Sequence, residues 1–338
     1  MNRRTFTKRF LLLGMTMMLV LLSACGSSEQ PDAKRQAQGE QPAVQVSESG
    51  TVELENMGEQ LSFPDAPKRA VTLNQHATEV MLALGLEDSM VGTAYLDDSI
   101  LPEYKGKYDK IPVLADKYPS KEVFLSVSPD FAYAGWKSAF GDKALGSRSD
   151  LAEQGVLTYV QESSSKAAPT LEDVYQDILN IGRIFRVEDR AEALVNDMRQ
   201  KLEDIQAQIG TVSEPLNVFV FDSGEDKAYT AANTYLTSLI GKVGGKNIFD
   251  DIDKGWAEVS WEEVVSRDPD VIVIVDYGDT TAAQKQELLL NKAPLADVKA
   301  IKNKRFIVLP LSAAAEGIRA PIALQTLAAG LYPDKVQP

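Results

Sequence analysis

The 338-residue chain has one cysteine, Cys25, and one histidine, His76. A single cysteine excludes an intrachain disulfide, and a single histidine excludes any two-histidine metal site. Neither a G-x-S-x-G nucleophile elbow nor a Walker-type phosphate loop occurs in it. Positive charge is also scarce: 35 lysines and arginines face 49 acids, for a formal net charge of −14. Four of the basic residues, Arg3, Arg4, Lys8 and Arg9, stand in the first 24 positions with no acid beside them, so the remainder is more acidic still. Such a surface cannot neutralise a phosphate backbone, which excludes nucleic acid as a partner. It does not exclude a small ligand, because charge in a cleft can oppose the global sign. Beyond residue 25 no run is long and apolar enough to span a bilayer. The 44% hydrophobic and 25% charged content is that of a soluble globular protein, and the length suffices for two cored domains.

What the chain does have is one phrase used twice. Residues 120–130 read S-K-E-V-F-L-S-V-S-P-D and residues 260–270 read S-W-E-E-V-V-S-R-D-P-D. Both fit Ser-x-Glu, six residues, then Pro-Asp, and apolar runs follow at 131–134 and 271–275. Each copy predicts a helix, a stop and a buried strand. Ser120 and Ser260 serve as N-caps, and Glu122 and Glu262 fall in the first turn, where the helix dipole favours a carboxylate. Proline then ends the helix, because the residue before it is driven out of the helical region. Two such copies imply two similar α/β lobes, each presenting a glutamate at an equivalent place, with something held between or across them.

The N-terminus reads as a targeting segment. Basic residues precede an apolar stretch at 10–22 that is too short to span, which predicts a signal peptide over 1–24. It ends in Leu22-Ser23-Ala24-Cys25, which resembles a bacterial lipoprotein box with Cys25 as the lipidation site. Asn2-Arg-Arg-Thr-Phe-Thr-Lys8 also resembles a twin-arginine export signal, so either export route is open. Residues 25–50 are polar, with almost nothing to bury, and predict a lipidated flexible tether.

Beyond the tether, an N-terminal α/β lobe is expected over 51–168, a linking helical segment over 169–210 and a C-terminal α/β lobe over 211–338. Alternation at 51–63 predicts a hairpin. A strand at 70–73 should lead through an exit loop, Asn74-Gln75-His76, to a helix at 78–84 stopped by Gly85. Strands at 90–94, 131–134 and 155–160 alternate with helices, the pattern of a mainly parallel sheet. In the linking segment Ala191, Leu194, Val195, Met198, Leu202, Ile205 and Ile209 step by three or four, one face of a long helix. The fold class is therefore α/β, with two Rossmann-like lobes of mainly parallel sheet joined by one long rigid helix and a ligand cleft between them.

In the order Lys68-Arg-Ala-Val-Thr-Leu73, Thr78-Glu79, Ala83-Leu-Gly-Leu86, Val91-Gly92, Pro129-Asp130, Gly244-Gly245-Lys-Asn247-Ile-Phe249 and Pro269-Asp270, following a lipoprotein box, the chain resembles the substrate-binding lipoproteins of ABC importers for ferric siderophores, haem and vitamin B12. The resemblance covers residues 65–332. It implies an extracytoplasmic, lipid-anchored, monomeric binding protein with no intrinsic cofactor and no reaction of its own. The ligand it implies is a metal chelate, an iron(III) siderophore or a corrinoid, delivered to an ABC permease. Glu122 and Glu262 match the glutamates with which such proteins seat in arginine-rich pockets of that permease, two separated charges that would fix the docking geometry.

Open α/β sheets hold ligands at the carboxyl ends of their strands, which nominates Asn74, Gln75, His76, Tyr95, Trp136, Tyr229, Trp256, Tyr277 and Arg319. Tyr95 and Trp256 match aromatic contacts of the vitamin B12-binding relatives, and flat aromatic faces suit a rigid macrocycle or catecholate. Arg319 could meet an anionic ligand or pair with Glu316. Only Arg319 and Arg148 are available as cleft arginines, and Asp97, Asp98 and Asp116 lie in a segment that departs from the family. Both departures weigh against a strongly anionic ligand. The alternatives are a ligand-sensing surface lipoprotein that never meets a permease, and a surface-anchored enzyme using His76 as general base.

Overall fold

The computed structural model describes residues 50–337, so the expected signal peptide, Cys25 and nearly all of the tether lie outside the described residues. Met57 and Gly58, both at positive φ, turn Val52–Asn56 (β1) back onto Glu59–Phe63 (β2) as the expected antiparallel hairpin. The first lobe then alternates strand and helix: Ala70–Leu73 (β3), Gln75–Ala83 (α1), Met90–Ala94 (β4), Lys105–Tyr108 (α2), Val113–Ala115 (β5), Lys121–Ser126 (α3), Phe131–Ala134 (β6), Arg148–Ala152 (α4) and Leu157–Val160 (β7). Its five strands form one parallel sheet in the order β5-β4-β3-β6-β7. The order of connection reverses between β3 and β6, which opens a crevice at their carboxyl ends.

Two helices follow, Leu171–Ile184 (α5) and Glu188–Ile209 (α6). The break between them falls at Arg186, whose φ of 59° is left-handed. Its guanidinium donates to the carbonyls of Arg183, Gly50 and Phe63, tying the break to the N-terminal hairpin. With 22 residues α6 is about 33 Å long. Near its start Arg190 donates to the Leu84 and Gly85 carbonyls of the first lobe, and near its end Gln206 donates to the Lys242 carbonyl of the second. The predicted apolar stripe faces inward: Ala191, Val195, Met198, Ile205 and Ile209 are buried, and Leu194 and Leu202 pack on the same core.

The second lobe comprises Leu216–Phe221 (β8), Ala228–Ala231 (β9), Tyr235–Lys242 (α7), Gly245–Asn247 (β10), Trp256–Val259 (β11), Trp261–Arg267 (α8), Val271–Asp276 (β12), Ala282–Asn291 (α9), Lys299–Lys302 (α10), Phe306–Pro310 (β13), Leu311–Ala314 (α11) and Ala320–Leu331 (α12). Its main sheet is parallel, in the order β10-β8-β12-β13. A separate antiparallel pair, β9 with β11, was not expected from the sequence.

Alternate residues of each sheet feed two different cores, the period-2 pattern of a strand buried on both faces. Phe131 and Tyr133, like Val218, Val220, Val271 and Val273, face one continuous core shared by both lobes and the linking helices. Ala132 and Ala134 face a separate core in the first lobe, and Phe219, Phe221, Ile272 and Ile274 face another in the second. The shared core ties the lobes along their backs.

Both copies of the repeated phrase fold alike. The Ser120 hydroxyl accepts from the Val123 N–H, and the Ser260 hydroxyl from the Glu263 N–H. Each helix ends ahead of its proline at a left-handed residue, Ser128 (φ 46°) or Asp268 (φ 40°). The Pro-Asp aspartates then join strands. Asp130 accepts from the Lys68 and Arg69 N–H groups that lead into β3, and Asp270 accepts from the Asn217 N–H of β8. The repeat is thus a device that registers an inner strand, β6 or β12, against its lobe's first strand.

Candidate functional site

The first lobe's side of the cleft is built at the β3/β6 switch point. Asn74 takes φ 80°, so the chain turns at once into α1, and Gln75 and His76 lie in the first turn of that helix rather than in an exit loop. The amide of Gln75 is used at both ends: Oε1 accepts from the Asp97 and Asp98 N–H groups, and Nε2 donates to the Ser99 carbonyl. It therefore shapes the loop after β4. Asn74 accepts from the Tyr118 hydroxyl, while its buried Nδ2 has no hydrogen-bond partner. Tyr95 sits at φ 61°, a strained value for a non-glycine residue, with its ring edge-on to Tyr118 and under the Lys117 ammonium.

His76 is 3% exposed, its ring centroid lies 4.7 Å from that of Trp136, and its Nε2 has no hydrogen-bond partner among the described residues. Glycines make room for it: a Cβ on Gly135 would collide with the imidazole, and one on Gly317 would stand 2.9 Å from the His76 Cβ. Burial pushes the His76 pKa down to about 4, with the Gly135 backbone opposing part of that shift. The neutral imidazole is therefore the folded form. Its contribution to stability is complete above the ordinary value near 6.5 and is lost as pH falls through about 4. The expected loss is roughly 3 kcal/mol. Urea unfolding at pH 7 and pH 4 of the native chain and of His76→Leu checks it, since the variant should lack this part of the pH slope; equal slopes would refute it. Among the described residues no nucleophile stands within hydrogen-bond distance of Nε2, so the geometry gives no support to His76 as a general base.

The second lobe contributes the carboxyl ends of β8, β12 and β13. Tyr277 donates to Asp222 Oδ2 at 2.8 Å and lies under the Lys285 ammonium. Trp256 of β11 stacks on Tyr229 of β9 with centroids 5.7 Å apart and planes within 16°. The unexpected strand pair is what presents this double aromatic face.

Two adjoining hollows open between the lobes. One, of about 240 Å³, is lined by Trp136 and Ser164 from the first lobe and by Tyr235, Trp256, Leu311 and Glu316 among others from the second. The other, of about 410 Å³, is lined by Tyr95, Asp97, Lys117 and Trp136 opposite Tyr277 and Leu311. Trp136 and Leu311 belong to both. Of the nine nominated residues, Tyr95, Trp136, Trp256 and Tyr277 line the hollows directly; Tyr229 stacks on Trp256; Asn74, Gln75 and His76 shape the first-lobe wall. Glu316, Tyr235 and α11 were missed. The available signal was the position of α11 directly after β13, a strand end like the others.

Arg319 does not pair with Glu316. Its Nε donates to Glu79 Oε2 at 2.8 Å and its Nη2 to Glu79 Oε1 at 2.5 Å, a two-point ion pair from the second lobe to α1 of the first. The remaining donors reach Ser312 Oγ and the Ser99 carbonyl. Arg319 is 8% exposed and Glu79 1%. This arginine pins the lobes together, and its charge is already answered. Arg148 is likewise no cleft residue: its guanidinium is held by Asn56, Thr158 and Glu59 at the edge of the first sheet.

Glu122 and Glu262 are both exposed, and neither forms an ion pair among the described residues. At α8 the capping is done by the neighbouring Glu263, whose carboxylate accepts from the Ser260 N–H and hydroxyl. Glu262, also in the first turn, takes no part in that cap. At α3 the Glu122 carboxyl is held below its usual range by its own backbone N–H and by Ser120.

The chain is similar in sequence and fold to known proteins. A family model described as periplasmic binding protein matches residues 71–313. YvrC, an uncharacterized ABC transporter substrate-binding lipoprotein of Bacillus subtilis, is 26% identical over 320 residues, 93% of this chain and 94% of that one. A vitamin B12-binding protein of Pectobacterium atrosepticum is 26% identical over 223 residues, 64% of this chain and 74% of its own. Among solved structures, a periplasmic binding protein of Veillonella parvula aligns with a TM-score of 0.79 at 36% identity, over 86% of this chain and 100% of that one.

Proposed function

The chain belongs to the periplasmic binding protein family, and from that premise we propose that it captures a metal chelate, a ferric siderophore or a corrinoid, and delivers it to an ABC permease. One observation carries the reading of the ligand: aromatic faces from both lobes, Tyr95 and Trp136 on one side and Tyr277 and Trp256 on the other, oppose one another across adjoining hollows. Rigid rings give a bulky ligand contact area at low entropic cost. The few polar side chains on the walls, Ser164, Thr234 and Glu316 in one hollow and Asp97 and Lys117 in the other, would orient it.

The protein acts by capture, with no reaction. Limited closure follows from the shared core, the α6 strut and the Arg319–Glu79 pair, all of which oppose wide opening. Glu122 and Glu262 are the docking points. Among the described residues no helix is long and apolar enough to cross a membrane, and membrane attachment is assigned to lipid on Cys25 at the extracytoplasmic face.

Tryptophan fluorescence of residues 46–338 tests the reading. Titration with ferric hydroxamates, ferric catecholates, ferric citrate, haem and corrinoids should give saturable quenching by one class at sub-micromolar concentration. Trp256→Ala should weaken that binding by about 30-fold or more, as expected of a central aromatic anchor. Absence of binding across the panel would overturn the chelate reading and leave the family assignment standing.

A further inference from the structure

One charge in the smaller hollow is unanswered. Glu316 lies in the segment 315–319 between α11 and α12, held from both sides: its carbonyl accepts from Gln161 Nε2, and its neighbour Gly317 is pressed against His76. Its side chain lines the hollow beside Tyr235, Trp136 and Trp256. No lysine, arginine or histidine pairs with its carboxylate among the described residues. The Tyr235 hydroxyl, on a side chain 1% exposed in the same wall, has no hydrogen-bond partner among the described residues.

We propose that Glu316 sets the charge class of the ligand: its carboxylate accepts from an ammonium or amide N–H of the chelate, so that neutral or cationic chelates bind and polyanionic ones are refused. The inference rests on the chelate reading above and narrows it.

The surroundings support it. An acid in a pocket whose other lining is apolar and aromatic apart from Ser164 and Thr234 stays poorly solvated until a donor arrives. Part of Glu316 remains accessible from the hollow, yet burial pushes its pKa up to about 7; its own backbone N–H opposes part of that shift, and Asp177 adds to it. The groups facing it are Asp177 of α5, Tyr235 of α7 and, across Gly317, the neutral His76 of α1; none supplies a positive charge. Asp177, itself raised to about 6, is occupied by the Tyr159 hydroxyl and the Glu162 and Ser163 N–H groups. Arg319, three residues on, is committed to Glu79. In the other hollow Lys117 is balanced by Asp97. An anionic chelate would therefore meet an excess of negative charge, and a donor would meet a carboxylate that no cation answers among the described residues.

The test uses the protein over residues 46–338 and its Glu316→Gln variant, titrated calorimetrically. The probes are a ferric trihydroxamate with a free ammonium, the same chelate N-acetylated, a corrinoid with primary amide side chains, a ferric triscatecholate and haem. The expected result is preference for the ammonium- or amide-bearing probes, with about 10- to 100-fold weaker binding of the preferred probe in Glu316→Gln. In the native protein, binding at pH 6 should release a proton, seen as a buffer-dependent heat, and affinity should rise from pH 6 to 8; both effects should vanish in the variant. The native-protein measurement stands even if the variant folds poorly. Preference for the triscatecholate or haem, or no proton release with the preferred probe, overturns this inference alone. No binding by any probe overturns the chelate reading and this inference with it.

Discussion

Replacing Arg319 with alanine is expected to lower the free energy of unfolding by about 3–5 kcal/mol. The guanidinium is the only cation within ion-pair distance of Glu79 among the described residues, and that carboxylate is 1% exposed on α1. Removing it leaves a buried charge with two weak neutral donors, the Leu101 N–H at 3.1 Å and Gln75 Nε2 at 3.4 Å. Desolvation of an unpaired carboxylate then dominates, whereas in the native protein the two-point pair offsets it. The double variant Glu79→Met/Arg319→Met should be less destabilised than Arg319→Ala, because it buries no charge at all. Urea denaturation of the three proteins decides the matter. A loss under about 1 kcal/mol in Arg319→Ala would show that the pair is not holding the lobes. The position matters for function as well: Ser312, Asp98, Ser99 and Gln75 all join this cluster, which ties the loop after β4 to the segment that carries Glu316.

Reversing both docking charges, Glu122→Lys with Glu262→Lys, should reduce ligand uptake in cells by about 100-fold or more while leaving ligand affinity unchanged. Like charges brought together at an interface cost several kcal/mol, and two such contacts act on one docking event. Neither side chain lines a hollow, and neither forms an ion pair, so the cleft should not notice the change. The folding cost should be small, about 0.3–1 kcal/mol at each helix start, from the lost interaction with the dipole. Glu263 continues to cap α8. Uptake by cells expressing the double variant, set beside calorimetric affinity of the purified protein, separates docking from binding. Unchanged uptake would remove the docking assignment and favour the ligand-sensing alternative.

The parts of this protein that its sequence determined are those governed by short-range physics. Caps at Ser120 and Ser260, the Pro-Asp stops, the turn at Met57-Gly58 and the 3.6-residue stripe of α6 are each decided within a few residues, so they can be read directly. Burial of β12 on both faces was legible for the same reason, as an unbroken apolar run. The sequence does not reveal β9 and β11, whose four residues each interleave apolar with polar ones and which pair with each other, and α1 begins at Gln75 because Asn74 takes a positive φ.

Tertiary structure alone decided who pairs with whom. Sequence spacing offered Glu316 as the partner of Arg319, three residues away, but the fold delivers Glu79 from 240 residues away and leaves Glu316 facing the hollow. Among 49 acids, no local pattern tells which one a sheet crossover will place beside a given arginine. The aromatic wall of the cleft and its unanswered charge both follow from that long-range choice, which is made by packing two lobes on one shared core.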